Sequence, residues 1–198
     1  MSANTYLTPK ERTALESARI GIAGAGGLGS NCAMHLVRAG VTHLTVVDFD
    51  VVNESNLNRQ FFFRDQIGMK KVKALKANLL RIDPDADLRI EDVKLDTASA
   101  LEIFADCDIV VEAFDAVDAK VMLVSSFALS GKKIVTASGL AGWGRSNAMR
   151  VRKMGNMIAV GDGETAVGAD AAPSSPRVGI AAAMQANSVV AMLLGEEL

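Results

Sequence analysis

The sequence predicts an α/β fold, in which helices cover both faces of a mainly parallel, twisted sheet and an antiparallel hairpin follows towards the C-terminus. Two patterns lead to this prediction. Short apolar runs alternate with segments of helical periodicity over residues 19–137, and Gly155-Asn156 separates two further strand-like runs. A glycine-rich turn directly after the first apolar run makes the arrangement Rossmann-like. We expect one domain over residues 1–198, because 198 residues can bury a core of their own.

Residues 1–18 predict one short helix before the sheet. Thr8 provides a hydroxyl that can cap a helix, Pro9 suits the first helical position, and Glu11 stands where it can close a capping box. The helix is therefore expected to run to about Ser17.

Residues 19–137 predict the parallel, nucleotide-binding part of the sheet. Most of the strands are short apolar runs of the kind that is buried on both faces, and the helices carry apolar residues three or four positions apart. Glycine and Asp-Pro signals mark the helix ends. The expected strands are Arg19–Ala23, Leu44–Asp48, Leu88–Val93, Ile109–Glu112 and Ile134–Ala137, and the expected helices span Ser30–Ala39, Val72–Ile82 and 117–129.

Residues 138–198 break the alternation of strand and helix. The runs Asn147–Lys153 and Met157–Val160 are expected to pair as the antiparallel hairpin. Residues 161–176 are rich in glycine and proline and poor in apolar side chains, which predicts a long flexible loop that is either functional or mobile. A final apolar helix is expected over Ala181–Leu194.

The composition argues against several classes of function. The formal net charge is −2 and there is no basic block, so we expect no nucleic-acid partner. No apolar run has the length of a membrane span and the first residues lack a secretory pattern, so we expect a cytoplasmic protein without a membrane partner. Cys32 and Cys107 form no CxxC pair, and we expect no zinc. His35 and His43 lack metal-ligand spacing and are expected to be structural.

The turn Gly24-Ala25-Gly26-Gly27-Leu28-Gly29 predicts a phosphate site. Gly24, Gly26, Gly27 and Gly29 lie between an expected strand and an expected helix, where backbone NH groups can approach a phosphate. On its own, this pattern also fits enzymes that bind a nicotinamide or a flavin. Asp48 ends the next strand, where its carboxylate can accept hydrogen bonds from a ribose.

The polar loop after Asp48 carries more donors than a dinucleotide requires. Ser55, Asn56, Arg59 and Gln60 belong to the run SNLNRQ, which adds amide and guanidinium donors where further phosphates would lie. A triphosphate attacked at its α-phosphorus develops charge that an arginine, a lysine and a divalent metal can neutralise. The loop therefore indicates a nucleoside triphosphate used for group transfer.

Lys70, Lys71 and Lys73 open the next expected helix. Cations are unfavourable at a helix N-terminus unless an anion lies there, so this cluster favours a phosphate contact. A solvated basic face is the alternative for any one of the three lysines.

Asp115 follows the strand at 109–112, at the edge where open α/β sheets bind ligands. Magnesium usually takes one or two carboxylates together with phosphate oxygens and water, which makes Asp115 the candidate metal ligand. Asp118 is the competing candidate, and Asp115 could instead cap the following helix.

A site of glycines, cations and carboxylates restricts the acceptor of the transferred group. A peptide C-terminal carboxylate has a pKa of roughly 3.3–3.7 and is already ionised at neutral pH, so it needs no general base. Such an acceptor fits a site that has no histidine and no activated serine.

These motifs together resemble the ThiF/MoeB/ubiquitin-activating-enzyme-like superfamily, and within it the short form of the ThiF adenylyltransferases. The resemblance implies adenylation of the C-terminal glycine of a ThiS-like β-grasp sulfur carrier in thiamine biosynthesis, with ATP as substrate, Mg²⁺ as cofactor and release of pyrophosphate. It also implies a homodimer. The resemblance spans about residues 5–198 and is carried by GAGGLGS, DFDVVNESNLNRQ, IGMKKVKA, EAFDA, ASGLAGWGRSN, VGDGETAVG and PRVGIAAAMQAN.

The resemblance further implies roles for individual residues. Asp48 would hold the ribose, and Lys71 would stabilise the charge of the transition state. Lys71 is preferred over Lys70 because Lys71 precedes an apolar residue, as the family's lysine does. The implied catalytic residues are Arg59, Lys71 and Asp115, with Asp115 on the metal, and the implied ATP-binding residues are Gly24, Gly26, Gly27, Gly29, Asp48, Ser55, Asn56, Arg59, Gln60, Lys71 and Asp115.

The sequence departs from the longer members of the family, which carry two CxxC pairs for zinc and often a thiol that takes over the activated carrier. We therefore expect no thioester or persulfide chemistry. Cys107 stands between Asp106 and Asp108, whose charges would raise the pKa of its thiol. Cys32 is expected to pack, although a helix N-terminus can lower the pKa of a thiol. Arg12 is the positional candidate for an arginine lent across a dimer, but a solvated helix residue is favoured.

Three other functions stay open from the sequence. A superfamily member of this kind could use the same ATP site to modify a tRNA base, although the missing basic block argues against it. The chain could also be a non-catalytic nucleotide-binding module, or a dehydrogenase that binds a nicotinamide.

Overall fold

Seven strands form one sheet in the computed structural model, which describes residues 6–128, 130–166, 168 and 171–198. Across the sheet the strands are ordered 3-2-1-4-5-7-6 in chain numbering, and every neighbouring pair is parallel except the last. The predicted Rossmann-like α/β fold with its antiparallel hairpin is confirmed. The strands are β1 Arg19–Ala23, β2 His43–Val47, β3 Asp87–Glu91, β4 Ile109–Glu112, β5 Lys133–Ala137, β6 Arg150–Met154 and β7 Met157–Gly161.

Helices cover both faces of the sheet. One face carries the larger core, whose buried side chains include Leu15, Leu36, Leu75 and Val189. The helices that cover this face are α1 Pro9–Ser17, α2 Gly27–Ala39, α3 Lys71–Leu80 and α6 Ser175–Leu194. The other face buries a smaller core, to which Ile103 and Leu123 belong, under α4 Thr97–Ile103 and α5 Val117–Phe127.

The last helix, α6, is long and apolar enough to cross a membrane by length and composition, and it alone among the described residues meets that criterion. Half of its most apolar window is buried inside the fold, where α6 packs against α2 and α1. A core helix accounts for this composition.

Several elements match the prediction closely. β1 and β4 have the predicted bounds, and α1 ends at the predicted Ser17. The capping box forms as expected: the Glu11 NH donates to Thr8 Oγ1 at 3.3 Å and the Thr8 NH donates to Glu11 Oε2 at 2.7 Å. These elements carry their start and stop signals in neighbouring residues, which explains the agreement.

Two helices begin several residues earlier than predicted. α2 begins at Gly27 rather than Ser30, because Gly26 serves as its N-cap and the glycine turn passes directly into the helix. α6 begins at Ser175 rather than Ala181, because Pro176 suits a first helical turn. The predicted flexible loop 161–176 is correspondingly shorter, and its residues 167, 169 and 170 lie outside the described part of the chain.

Other bounds differ by smaller amounts. β6 begins at Arg150 rather than Asn147, because Ser146–Ala148 form a 3-10 turn. β2 ends at Val47, so that Asp48 lies just beyond the strand, and α3 starts at Lys71. The helix predicted over 117–129 ends at Phe127, and residue 129 lies outside the described residues.

The sequence did not predict α4. This helix has seven residues and is capped by Asp96, whose Oδ1 accepts the Ser99 NH at 2.8 Å. A helix of two turns carries too short a periodic pattern to be recognised from apolar spacing.

The order of the strands reverses between β1 and β4. From β1 the chain crosses to β2 and β3 on one side, and β4 and β5 continue the sheet on the other side. In an open α/β sheet a ligand crevice forms outside the carboxyl ends of the strands at such a reversal. The turns after β1, β2, β4 and β5 therefore meet at one edge.

Candidate functional site

A cleft of about 890 Å³ lies at this carboxyl edge of the sheet. Its volume is in the range of small-molecule sites. We call its two sides the N-terminal wall and the C-terminal wall. The N-terminal wall is lined from residues 24, 26–28, 47–50, 59–60 and 71, and the C-terminal wall from residues 113–117, 119–120, 137–141 and 163–166. The two walls come from opposite sides of the strand-order reversal.

The glycine turn forms the base of the N-terminal wall. Gly24 has φ +102° and donates its NH to the Val47 carbonyl at 2.8 Å, a conformation that L side chains rarely adopt. A Cβ at Gly29 would lie 1.8 Å from the Gly24 carbonyl oxygen, so glycine is required there for close packing. Gly26 is the N-cap residue of α2 but has no side chain that could accept a hydrogen bond from the first NH groups of the helix. Gly24, Gly26 and Gly27 line the cleft, whereas Gly29 lies behind them.

Asp48 is held in place by two backbone NH groups. Its Oδ2 accepts the Ala25 NH at 2.7 Å and its Oδ1 accepts the Asp50 NH at 2.8 Å. These contacts fix the carboxylate at the cleft surface. Each oxygen keeps capacity for a further donor, which suits vicinal hydroxyls of a ribose.

Arg59 lines the N-terminal wall, but Ser55 and Asn56 lie outside the lining. The Arg59 guanidinium donates through Nη1 to Asn58 Oδ1 at 2.7 Å and to the Ser55 carbonyl at 3.2 Å. Asn56 Oδ1 accepts the Asn53 NH at 3.0 Å and closes a short 3-10 turn. The two residues therefore shape the loop that presents Arg59.

Gln60 is buried against the same wall, with 9% of its surface exposed. Its Oε1 has no hydrogen-bond partner among the described residues. A buried amide oxygen without a partner is costly in a folded protein. Because this oxygen is itself inaccessible to solvent, other atoms of Gln60 line the cleft.

Of the three lysines, Lys71 lines the cleft. Its Nζ lies 2.7 Å from Asp50 Oδ2 and its side chain is 8% exposed. Lys70 instead donates to the Phe49 carbonyl at 3.0 Å and pairs with Asp92 Oδ1 at 3.0 Å, and Lys73 is exposed. The geometry therefore distinguishes Lys71 from its neighbours.

Asp115 lies on the C-terminal wall, in the turn between β4 and α5, and is exposed to the cleft. Asp118, one turn further along the chain, is exposed outside the lining. No cluster of three or more His, Cys, Asp or Glu that could hold a metal occurs within the described ranges. One carboxylate at the cleft surface nevertheless fits magnesium, because phosphate oxygens and water usually complete its coordination.

A buried network that the sequence analysis missed supports the C-terminal wall. Glu112 is fully buried; its Oε1 accepts the Phe114 NH at 2.8 Å, and its Oε2 accepts hydrogen bonds from Lys120 Nζ and from the Thr136 hydroxyl. Lys120 also donates to the Ala137 carbonyl at 3.0 Å and lines the cleft. The network fixes the turn that carries Asp115. A glutamate at the end of the apolar run Ile109–Glu112 was the sequence signal.

A second buried ion pair anchors the segment 163–166. Asp162 Oδ2 accepts Arg177 Nη2 at 2.6 Å, and both side chains are nearly inaccessible to solvent. Arg177 also donates to the Gly144 carbonyl at 2.8 Å. Burial alone raises the pKa of Asp162, but hydrogen bonds from Thr165, the Glu164 NH and Arg177 outweigh it and hold that pKa below its usual range. No motif in the sequence indicates that these two charged residues meet.

The cysteines and histidines lie outside the cleft lining. Burial raises the pKa of the Cys32 thiol, and burial followed by the Asp106 charge raises the pKa of the Cys107 thiol to about 11. Burial, and to a smaller extent the positive charge of Arg38, lowers the pKa of His35. His43 Nδ1 lies 3.2 Å from Asp87 Oδ2. None of these four residues lines the cleft.

The sequence is similar to curated proteins over about two thirds of its length. Adenylyltransferase and sulfurtransferase UBA4 of Eremothecium gossypii is 40% identical over 128 residues, which are 64% of this chain and 29% of that protein. Probable adenylyltransferase/sulfurtransferase MoeZ of Mycobacterium tuberculosis is 32% identical over 125 residues, or 63% of this chain and 32% of that protein. The aligned part of the chain thus spans about a third of the length of these relatives.

Solved structures share the fold over nearly the whole chain. E. coli tRNA N6-threonylcarbamoyladenosine dehydratase, TcdA, in complex with ATP, has a TM-score of 0.87 at 19% identity and matches 94% of this chain and 90% of that chain. E. coli MccB with AMPCPP and MccA has a TM-score of 0.74 at 19% identity and matches 93% and 58%. The ThiF family model matches residues 3–198. The chain therefore belongs to the ThiF family.

Proposed function

We propose that the chain is an ATP-dependent adenylyltransferase that activates the C-terminal glycine of a small ubiquitin-like sulfur carrier. The proposal depends mainly on one observation: the glycine turn, Asp48 and the cations Arg59 and Lys71 all line the same cleft. Two backbone NH groups hold the Asp48 carboxylate there. Sequence similarity to proteins named adenylyltransferase supports the same reaction.

In this proposal each group of the N-terminal wall has a role in binding ATP. Asp48 accepts hydrogen bonds from the ribose, and the NH groups at the start of α2 hold phosphate oxygens. Gln60 lies beside the nucleotide as part of the cleft lining. Ser55, Asn56 and Gly29 act indirectly, by shaping the loop and the turn that present Arg59 and the other glycines.

The reaction joins a carboxylate to the α-phosphorus. A carboxylate oxygen of the carrier attacks the α-phosphorus, the bond from that phosphorus to the bridging oxygen breaks, and pyrophosphate leaves with the electron pair. Arg59 and Lys71 stabilise the negative charge that develops on the phosphoryl oxygens. No general base is required, because the acceptor is already ionised.

Magnesium fits the C-terminal wall, and Asp115 would hold it. The bound ion would neutralise charge on the phosphates. Asp115 is suited to this role because it lines the cleft and because Glu112 fixes the backbone of its turn through the Phe114 NH.

The acceptor in this proposal is a ThiS-like β-grasp protein of thiamine biosynthesis. A protein or peptide acceptor is supported by relatives named both adenylyltransferase and sulfurtransferase, and by the fold likeness to MccB, solved with MccA. The carrier tail would run beneath the segment between β7 and α6 towards the α-phosphate, since residues 163–166 and Pro173 line the cleft. We further propose a homodimer, as the resemblance implies, and a cytoplasmic location, where ATP is available.

A second candidate is the ATP-dependent modification of a tRNA base. The observation that favours it is the fold likeness to TcdA, which extends over 90% of that chain. In that case the same cleft would bind ATP and the acceptor would be a nucleic acid.

ATP–pyrophosphate exchange tests the proposal. We expect exchange that requires a carrier ending in Gly-Gly, with a carrier mass increase of one adenylyl group. The matched control is the same carrier without its last glycine, which should support no exchange. Exchange that depends on tRNA would favour the second candidate, and binding of ATP without any exchange would favour a non-catalytic module.

A further inference from the structure

Asp50 lies between the two functional parts of the N-terminal wall. Its Oδ2 is 2.7 Å from Lys71 Nζ, and its carbonyl accepts the Lys71 NH at 3.0 Å. Its own NH donates to Asp48 Oδ1 at 2.8 Å. One residue therefore connects the carboxylate assigned to the ribose with the ammonium assigned to the phosphates.

The two charges of this ion pair differ in burial. The Lys71 side chain is 8% exposed, whereas the Asp50 side chain is 49% exposed. An ammonium that is almost withdrawn from water needs a counter-ion, because burying an unpaired charge is costly. Within the described part of the chain, the Asp50 carboxylate supplies that counter-ion.

A bound triphosphate would bring a second counter-ion to the same ammonium. A lysine ammonium has three N–H donors, and Asp50 occupies one of them in the structure. Asp50 also lines the cleft, so its negative charge would face the phosphates. The carboxylate thus holds Lys71 in position and at the same time opposes binding of the anion.

We propose that Asp50 is a positioning residue for Lys71, an inference that rests on the proposed adenylation. Asp50 fixes the ammonium at the cleft surface before ATP arrives and weakens its attraction to the phosphates of the bound substrate. The stabilisation that Lys71 provides is thereby directed to the charge that develops in the transition state, which raises kcat rather than affinity.

The variant Asp50→Asn separates this role from a structural one. Asparagine has nearly the same shape, keeps the two backbone hydrogen bonds and removes only the charge. The ammonium of Lys71 then has the phosphates of ATP as its ionic partner. We therefore expect the variant to bind ATP more tightly, by roughly fivefold, and to lose at least about tenfold in kcat.

Two measurements test the inference. Thermal unfolding with and without ATP should show a lower Tm for nucleotide-free Asp50→Asn, and a larger increase of Tm with ATP than in the unchanged protein, because ATP replaces the missing counter-ion. Carrier-dependent exchange should show a lower KM for ATP together with the lower kcat. Asp50→Glu should recover most of both properties, and Asp65→Asn, at an exposed carboxylate outside the cleft lining, should change neither.

The possible failures are distinguishable. The inference is overturned if the Tm of Asp50→Asn is lowered equally with and without ATP, or if its affinity for ATP and its kcat fall together. Asp50 would then be only structural, and the proposed adenylation would still stand. If the unchanged protein binds ATP but shows no exchange with any carrier, the proposed function fails. A larger ATP-induced increase of Tm in Asp50→Asn would then still support the role of Asp50.

Discussion

The two walls of the cleft are built in different ways. The N-terminal wall consists of motifs that can be recognised in the sequence, and backbone groups hold its side chains, as where Asp48 accepts the Ala25 and Asp50 NH groups. The C-terminal wall depends on buried polar side chains that no motif marks, such as Gln185, whose Nε2 donates to the Glu112 carbonyl at 2.9 Å. The first arrangement suits a ligand common to many enzymes, and the second supports the side from which we expect the acceptor to enter.

The largest effect is expected from breaking the C-terminal wall at Arg177. Arg177→Met leaves the Asp162 carboxylate buried without its ionic partner, which should lower the free energy of unfolding by about 3–5 kcal/mol. Urea unfolding followed by circular dichroism measures the loss. Arg177→Lys keeps the charge and should lose less. A loss under about 1 kcal/mol for Arg177→Met would mean that this ion pair does not hold the wall.

The same ion pair predicts a pH dependence. The pKa of Asp162 is lowered in the folded state, so its stabilisation is present above the unfolded-state value of about 3.9 and is lost as pH falls through the lower folded-state pKa. The difference in stability between the unchanged protein and Asp162→Asn should therefore be constant near neutral pH and should shrink below about pH 4. A difference that is constant to pH 2 would contradict the lowered pKa.

The N-terminal wall should respond in activity rather than in stability. Arg59→Ala removes the guanidinium that we assign to the phosphates and should reduce carrier-dependent exchange by about 10²–10³-fold, or ~2.7–4 kcal/mol of transition-state stabilisation. Its Tm should change little, because Arg59 is only half-buried. Asn58→Ala, which removes the neighbouring acceptor, is the matched control and should keep most of the activity. Equal losses in both variants would remove Arg59 from the phosphate site.

A smaller effect is expected at the carboxylate of the C-terminal wall. Asp115→Asn weakens the magnesium site, so the Mg²⁺ concentration for half-maximal exchange should rise by about tenfold. Asp118→Asn is the control and should leave the Mg²⁺ dependence unchanged. If Asp118→Asn instead raises the Mg²⁺ requirement and Asp115→Asn does not, Asp118 is the magnesium ligand and the assignment of Asp115 is wrong.

The smallest effect should come from a residue outside both walls. Thr8→Ala removes the hydroxyl of the capping box of α1 and should lower stability by about 1 kcal/mol. Exchange activity should stay the same under conditions in which the protein is folded. A loss of activity would indicate that α1 contributes to the site.

The sequence predicted the fold and the N-terminal wall for the same reason. Strands, caps and the glycine turn are each specified by neighbouring residues, so β1, β4 and the capping box at Thr8 were predicted closely. The preference for Lys71 over Lys70 came from a resemblance, and the structure places Lys71 in the cleft.

The C-terminal wall was not predictable in this way. Asp162 and Arg177 are separated by a loop with no periodic pattern, and their meeting depends on where β7 and α6 pack. Glu112 and Lys120 were visible only as isolated charges in apolar surroundings. Such pairs arise from tertiary packing, which a single sequence does not encode in its local spacing.

A crystal structure with a non-hydrolysable ATP analogue and Mg²⁺ tests the central claim most directly. The account predicts the ribose hydroxyls on the Asp48 carboxylate, and the phosphoryl oxygens within hydrogen-bond distance of Arg59 and Lys71. A nucleotide bound elsewhere, or bound in the cleft with both cations turned away from its phosphates, would contradict it.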